Sequence, residues 1–305
     1  MDDPVVQTCS LRKCFGGKLA LDDLSLSIPS GHIHALIGAN GAGKSTLFRI
    51  LLGFLSPSAG EAFVLGRNSS ALTSAERAAV GYVNEEHTLP EWMRVEDIKR
   101  MRCSEYRAWN ERAYSEVIGH YRISAQQKVR ELSRGERAGF NLALALAQSP
   151  RLLILDEPTL GLDVVAKRAF LESLMYSHTV EQCTIIYCSH QMEEIERIAD
   201  RLIILERGQL MIDGAPEDFC ARVRHWISDI PFQGPDPAAI PGLLQRQKLD
   251  GLHHYFVLDQ DDSFSEFLRA YGARTIRAMP VSLDRAVNAY LARTHAAPDV
   301  LRAQA

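Results

Sequence analysis

An α/β protein with one large core and a smaller α/β appendage is predicted, and three features of the 305 residues predict it. The first is an apolar run of strand length, Ile33-His34-Ala35-Leu36-Ile37, that leads directly into a glycine-rich loop and then into apolar residues at helical spacing. The second is a continuous apolar run, Leu152-Leu153-Ile154-Leu155, as a parallel strand buried on both faces requires. The third is a change of composition after about His225, where Pro231, Gly234, Pro235, Pro237, Pro241 and Gly242 crowd one stretch before new strand and helix signals begin. These features divide the chain into a domain over residues 4–224 and an accessory domain over 225–305.

Taken in order, residues 5–15 and 19–28 read as two strands joined at Gly16-Gly17, antiparallel and leading through Pro29-Ser30-Gly31 into the strand at 33–37. Residues 38–46 read Gly-Ala-Asn-Gly-Ala-Gly-Lys-Ser-Thr and fit the phosphate-loop pattern with Gly38, Gly43, Lys44 and Ser45 at its fixed positions. The four positions match by chance in roughly 1% of chains of this length, and the flanking strand and helix lower that further. Glycines let the backbone wrap closely around phosphate oxygens, the following helix adds the positive end of its dipole, and Lys44 reaches the outer phosphates. The Ser45 hydroxyl is a ligand for Mg²⁺. Asn40, Gly41 and Thr46 complete the candidate nucleotide-binding loop.

A short strand at 61–65, a helix at 74–79 and a strand at 80–83 follow. From residue 87 to about 128, aromatic and charged residues recur near helical spacing and predict a mainly helical insertion, which with the following helix spans about 87–150. Leu132-Ser133-Arg134-Gly135-Glu136 then opens an alanine–leucine helix, and Ser133 is a helix cap whose neighbouring N–H groups suit an anion. The strand at 152–155 ends in Asp156-Glu157, at the carboxyl end where such sheets place ligands. There Asp156 can hold Mg²⁺ and Glu157 can accept a proton from an attacking water, where a lone acidic pair is often only a helix cap. A further strand at 184–190 ends in His190, a hairpin turns at Arg207-Gly208, and residues 215–223 read as a helix. In the accessory domain, strands at 254–258 and 275–278 alternate with helices at 263–271 and 283–291; His253-His254 has no further ligand at plausible spacing, so no metal site is expected there.

Composition fits a globular protein: 46% apolar, 24% charged, net charge −4. That balance gives no reason to expect nucleic acid as a partner. No apolar window is long enough to cross a membrane, and the acidic start Met1-Asp2-Asp3 is unlike a signal peptide. The six cysteines lack zinc or redox spacing and are expected as thiols, with Cys183 and Cys188 as small buried hydrophobes.

The ordered motifs closely resemble the nucleotide-binding subunits of ABC transporters over about residues 4 to 220. The resemblance implies a P-loop NTPase (ABC ATPase) core with an antiparallel β subdomain and a helical insertion, plus the small C-terminal α/β appendage. It makes 38–45 the Walker A loop, 152–157 Walker B with Glu157 as catalytic glutamate, 132–136 the signature, Asp163 part of the D-loop and His190 the switch histidine. Phe15 stands where the family stacks an aromatic ring on adenine. Two such domains pair head to tail, so Ser133 and Gly135 would contact the γ-phosphate held by a partner chain. The resemblance also implies ATP and Mg²⁺, integral membrane permease subunits, a second nucleotide-binding domain, and a peripheral place on the cytoplasmic side of the membrane. Three positions depart from the pattern: Arg134 and Glu136 in the signature, Leu160 before the D-loop, and Glu85 where a glutamine is usual. Glu85 is a candidate nucleotide and Mg²⁺ contact that cannot donate an amide hydrogen bond. Tyr106 to Asn110, and Met279-Pro280-Val281-Ser282-Leu283 in the appendage, resemble the exporter-type branch that includes peptide-antibiotic-resistance and YtrB-like systems. An importer subunit and a soluble ABC ATPase acting on a macromolecular complex are the alternatives. An inactive module is opposed by Lys44, Asp156, Glu157 and His190 standing together in one sequence.

Overall fold

The computed structural model describes residues 4–230 and 234–296; Met1, Asp2, Asp3 and Pro231 lie outside the described residues. The chain separates into two compact units between Asp213 and Gly214. In the first unit, β1 (Val6–Phe15) and β2 (Lys18–Ile28) form an antiparallel hairpin, and β3 (Ile33–Ile37) enters the glycine loop ahead of α1 (Lys44–Leu51). Next come β4 (Ala59–Val64), the two-residue β5 (Arg67–Asn68), the single-turn α2 (Ser74–Arg77) and β6 (Val80–Val83). The insertion holds α3 (Val95–Glu105) and α4 (Glu111–Gly119) and leads into α5 (Arg134–Ala147). The unit is completed by β7 (Leu152–Asp156), α6 (Val164–Glu181), β8 (Thr184–Cys188), α7 (Met192–Ile198), β9 (Arg201–Glu206) and β10 (Gln209–Gly214).

Two sheets result. One has the order β2-β1-β4-β5, with antiparallel pairs throughout. The other has the order β10-β9-β3-β8-β7-β6, with β9, β3, β8, β7 and β6 parallel. The apolar run at 152–155 is explained by its place: β7 lies inside the sheet and its four apolar residues are fully covered. Helix α1 turns Leu47, Phe48, Ile50 and Leu51 into one core with Leu21 and Leu24 of the antiparallel sheet and Ile154, Ile186 and Ile203 of the parallel one. Each such side chain contributes about 1.5–3 kcal/mol on burial, so the two sheets are locked around the helix that follows the glycine loop. The insertion departs from its predicted start: Trp92 and Met93 lie in turns before α3 rather than inside a helix. Asn110 caps α4 by accepting from Ala113 N–H (3.0 Å), which fixes where that helix begins. No helix among the described residues is long and apolar enough to cross a membrane.

The second unit begins earlier than the sequence boundary of 224/225, because α8 (Pro216–Arg222) packs by Phe219 edge-to-face on Tyr290 of α10 (Leu283–Ala296), at 5.5 Å between centroids. It also contains β11 (Val223–Ser228), β12 (Leu243–Leu249), β13 (Leu252–Leu258), α9 (Phe264–Ala270) and β14 (Ile276–Met279). Their sheet has the order β12-β13-β11-β14, antiparallel at each pairing. The run after His225 was expected as linker, yet β11 is a central strand. Its Trp226 faces Tyr255, Val257, Phe264 and Leu268 in one core, while His225 stacks on Phe256 at 4.3 Å.

Candidate functional site

The glycine loop ends at Gly43, which caps α1 with φ 105°, a left-handed conformation that disfavours any side chain. A Cβ there would stand 2.6 Å from the Ala20 carbonyl oxygen and 2.7 Å from Leu21 Cδ2, so space forbids one as well. The first turn of α1 has no side-chain cap and no acidic residue, which leaves its N–H groups and dipole directed at the loop. Lys44 folds back over that loop and donates to Gly38 O (2.6 Å) and Ala39 O (3.4 Å). An ammonium has three donors, so one remains for a phosphate oxygen. Phe15, Lys18, Ala20 and the residues Asn40 to Thr46 line a cavity of about 320 Å³. The Phe15 ring is 47% exposed with Lys13 Nζ 5.1 Å from its centroid, which gives a flat apolar platform at the cavity's edge. Lys18 and Ala20 were not singled out from sequence, since a hairpin's approach to a distant loop leaves no local signal.

The parallel pairing of β7 with β3's neighbour β8 brings Asp156 and Glu157 beside this loop. Ser45 Oγ donates to Asp156 Oδ2 at 3.4 Å. Burial raises the Asp156 pKa, opposed by hydrogen bonds from Cys188 and Ser45, and the charge of Glu85 pushes it further up. Hydroxyl and carboxylate oxygens meeting here, with a second carboxylate close enough to repel, form a donor set that suits a hard divalent cation such as Mg²⁺. Glu85 itself is exposed.

Glu157 has φ 51°, an uncommon conformation for a residue with a side chain, and its N–H is held by Cys188 O at 2.9 Å. Its carboxylate is only 10% exposed. Oε2 accepts from His190 N–H at 3.2 Å, and Oε1 lies 3.1 Å from His190 Nε2 and 3.7 Å from Cys188 Sγ. Burial pushes the Glu157 pKa up to about 7, partly countered by the His190 N–H and by the Lys44 charge. His190 is half exposed, and burial followed by the Lys44 charge lowers its pKa, which favours a neutral imidazole donating Nε2–H to Glu157. Cys188 is buried, as expected of a small hydrophobe, and its thiol also touches the Glu157 carboxylate. All six cysteines are thiols, as expected.

The remaining candidates cluster elsewhere. Ser133 caps α5 in a reciprocal box: Glu136 N–H donates to Ser133 Oγ (3.2 Å), and Ser133 N–H donates to Glu136 Oε2 (2.8 Å). This accounts for the departure at Glu136, whose carboxylate fastens the start of the helix. Ser133 is exposed, and its own hydroxyl proton is left to donate outward. A Cβ on Gly135 would stand 2.7 Å from Ala166 Cβ, and one on Gly161 would meet the Arg134 guanidinium at 2.8 Å. Arg134, the other departure, thus lies on the loop that ends at Asp163. Asp163 caps α6 by accepting from Ala166 N–H at 2.8 Å. Leu132, Arg134 and Leu160 line a second cavity of about 490 Å³ with Glu85, Glu86 and His87, distinct from the one around the glycine loop. Neither Ser133 nor Gly135 lines the cavity around the loop that Lys44 closes.

Comparisons with known proteins align with this geometry. A family profile described as "ABC transporter" matches residues 21–160. The Nod factor export ATP-binding protein I of Rhizobium johnstonii (strain DSM 114642 / LMG 32736 / 3841) is 32% identical over 291 residues, covering 92% of this chain and 92% of that protein. The protein of the same name from Rhizobium sp. (strain N33) is 36% identical over 222 residues, covering 71% of this chain and 72% of the relative. Among solved structures, one described as an ATP-binding subunit of an ABC transporter superposes with a TM-score of 0.64 at 25% identity, covering 71% of this chain and 92% of that one.

Proposed function

The chain belongs to the ATP-binding subunits of ABC transporters, and we propose that it hydrolyses ATP to drive export through separate membrane-spanning subunits. Export rests on the relatives, which are named for it and match nearly the whole chain. The observation that carries hydrolysis is the Glu157–His190 pair: a shielded carboxylate, oriented by two groups of the His190 residue, at the end of the strand beside the glycine loop.

In this reading the α1 N-terminus, Lys44 and the loop N–H groups hold the phosphates, and Phe15 carries the adenine. Ser45 and Asp156, with Glu85 at the rim, would hold Mg²⁺, whose charge offsets that of the phosphates. Glu157, with a pKa near 7, takes the proton of the attacking water, because a base is most effective when its pKa is close to the working pH. His190 donates to Glu157 and keeps the carboxylate aimed at the phosphate side. Ser133 and Gly135 serve the nucleotide of a second copy or a related subunit. The protein then sits on the cytoplasmic face of a membrane by way of its permease partner.

Glu157→Gln tests the chemistry. The variant is expected to bind ATP with unchanged affinity, to lose about 100- to 10,000-fold in kcat, and to accumulate as an ATP-bound dimer on size exclusion. Turnover within a factor of a few of wild type would remove Glu157 from the role of base.

A further inference from the structure

We propose that Glu194 is a positioning residue for ATP hydrolysis: one buried carboxylate oxygen ties the segment that follows Glu157 to the segment that carries His190. The inference rests on the hydrolytic role proposed above.

Glu194 stands in the first turn of α7 and is 5% exposed. Its Oε2 accepts three hydroxyl hydrogen bonds, from Thr159 Oγ1 (2.8 Å), Tyr187 OH (2.7 Å) and Ser189 Oγ (2.9 Å). All three donors are buried. They come from two segments far apart in the chain. Thr159 lies two residues after Glu157, at the start of the loop that leads to Asp163. Tyr187 is on β8, and Ser189 immediately precedes His190. Ser189 Oγ also accepts from Gln191 N–H at 3.1 Å, so the backbone on both sides of His190 is fixed through it. Gln191 Oε1 in turn accepts from Lys167 Nζ on α6, just beyond Asp163. The other oxygen, Oε1, is buried with no partner among the described residues.

This is a costly arrangement for stability alone. A carboxylate oxygen accommodates two ordinary acceptor directions, and leaving Oε1 buried without a donor has a desolvation penalty. What the geometry achieves is a common anchor. His190 Nε2 and N–H contact the Glu157 carboxylate at 3.1 and 3.2 Å, and a shift of either segment changes those distances. Because Thr159 and Ser189 hang on the same oxygen, displacement of the loop toward Asp163 is passed to His190 through Glu194. Hydrogen bonds to a charged acceptor are about twice as strong as neutral ones, which makes this a stiff connection.

The test uses the full chain and five variants: Glu194→Ala, Glu194→Gln, Ser189→Ala, Thr159→Val and the double variant Ser189→Ala with Glu194→Ala. Glu194→Ala is expected to lower kcat by about 10- to 100-fold, the size of a lost charge-assisted hydrogen bond, while KM and ATP affinity stay within about twofold. Glu194→Gln, which keeps an acceptor oxygen in place, should restore most of kcat. The double variant should be no worse than Glu194→Ala within about twofold, since both changes cut the same connection. Should Glu194→Ala fail to fold, Ser189→Ala and Thr159→Val decide the matter, each being expected to lower kcat several-fold at unchanged KM. Wild-type kcat in both, losses that multiply in the double variant, or KM rising in step with a falling kcat would overturn the inference while leaving the proposed function standing. A wild-type chain that binds ATP without hydrolysing it would overturn that function and this inference with it.

Discussion

Glu157 and His190 show how a catalytic pair is made from a strand end and a turn. The strand places the carboxylate; the positive φ of Glu157 directs it toward His190; burial then raises its pKa to about 7. That shift has a consequence for stability. Because the folded pKa lies above the unfolded value of 4.5, the protonated form favours the fold. The stabilising contribution is complete below about 4.5 and is lost as pH rises through about 7. Glu157→Gln, which carries no charge at any pH, should therefore match wild type in nucleotide-free thermal unfolding at pH 4.5. At pH 8 it should exceed wild type by on the order of 1 kcal/mol, a figure reduced for solvent screening in an open cleft. A stability difference that does not change between the two pH values would show that Glu157 is not desolvated. The sequence made this pair legible, because an acidic pair after a buried strand and a histidine after the next strand are both position-coded. It left Cys188 and Glu194 illegible: a thiol against a carboxylate, and a carboxylate under three hydroxyls, are products of packing between segments far apart in the chain.

At the scale of elements, the glycine loop, α1 and the β3-β8-β7 ladder were readable from apolar periodicity and glycine placement. The accessory sheet was read only in part. β11 carries Arg224 and His225 in a central position, and β12 is an edge strand with the polar run Gln245-Arg246-Gln247-Lys248, so neither has the alternation that marks a strand. In the insertion, some of Trp92, Met93, Tyr106 and Trp109 are candidates to line a groove for a membrane subunit's helix. Trp92 and Met93 line a groove, and Tyr106 and Trp109 do not. Trp109 is turned onto Tyr114, 5.8 Å between centroids, and donates to Glu111, while Tyr106 lies under Arg102. The groove, about 560 Å³, is also lined by Asp97, Arg100 and Met101 of α3. Trp92 is 74% exposed there, which suits a partner's apolar helix better than solvent. Trp92→Ala is expected to leave basal ATPase activity unchanged and to cut stimulation by the membrane partner at least about fivefold, the loss of one aromatic anchor of about 1 kcal/mol or more. Equal stimulation of variant and wild type would place the docking surface elsewhere.

For the whole molecule, the proposed function assigns Ser133 and Gly135 to the nucleotide of a second subunit, and neither residue lines the cavity around Lys44. Lys44 and Ser45 line one cavity with Phe15, whereas Leu132, Arg134 and Leu160, from the signature loop and the loop to Asp163, line another. Head-to-tail pairing of two copies, as the proposed function requires, would create two composite sites related by symmetry. Mixing Lys44→Ala chains with Ser133→Arg chains measures this directly. In a mixed dimer both lesions fall in one composite site and the other is intact, while each homodimer has a lesion in both. Half of a random mixture is mixed dimer with one good site of two, so activity should recover to about a quarter of the wild-type rate, from near zero for either variant alone. No recovery in a mixture shown to contain mixed dimers would contradict the shared site.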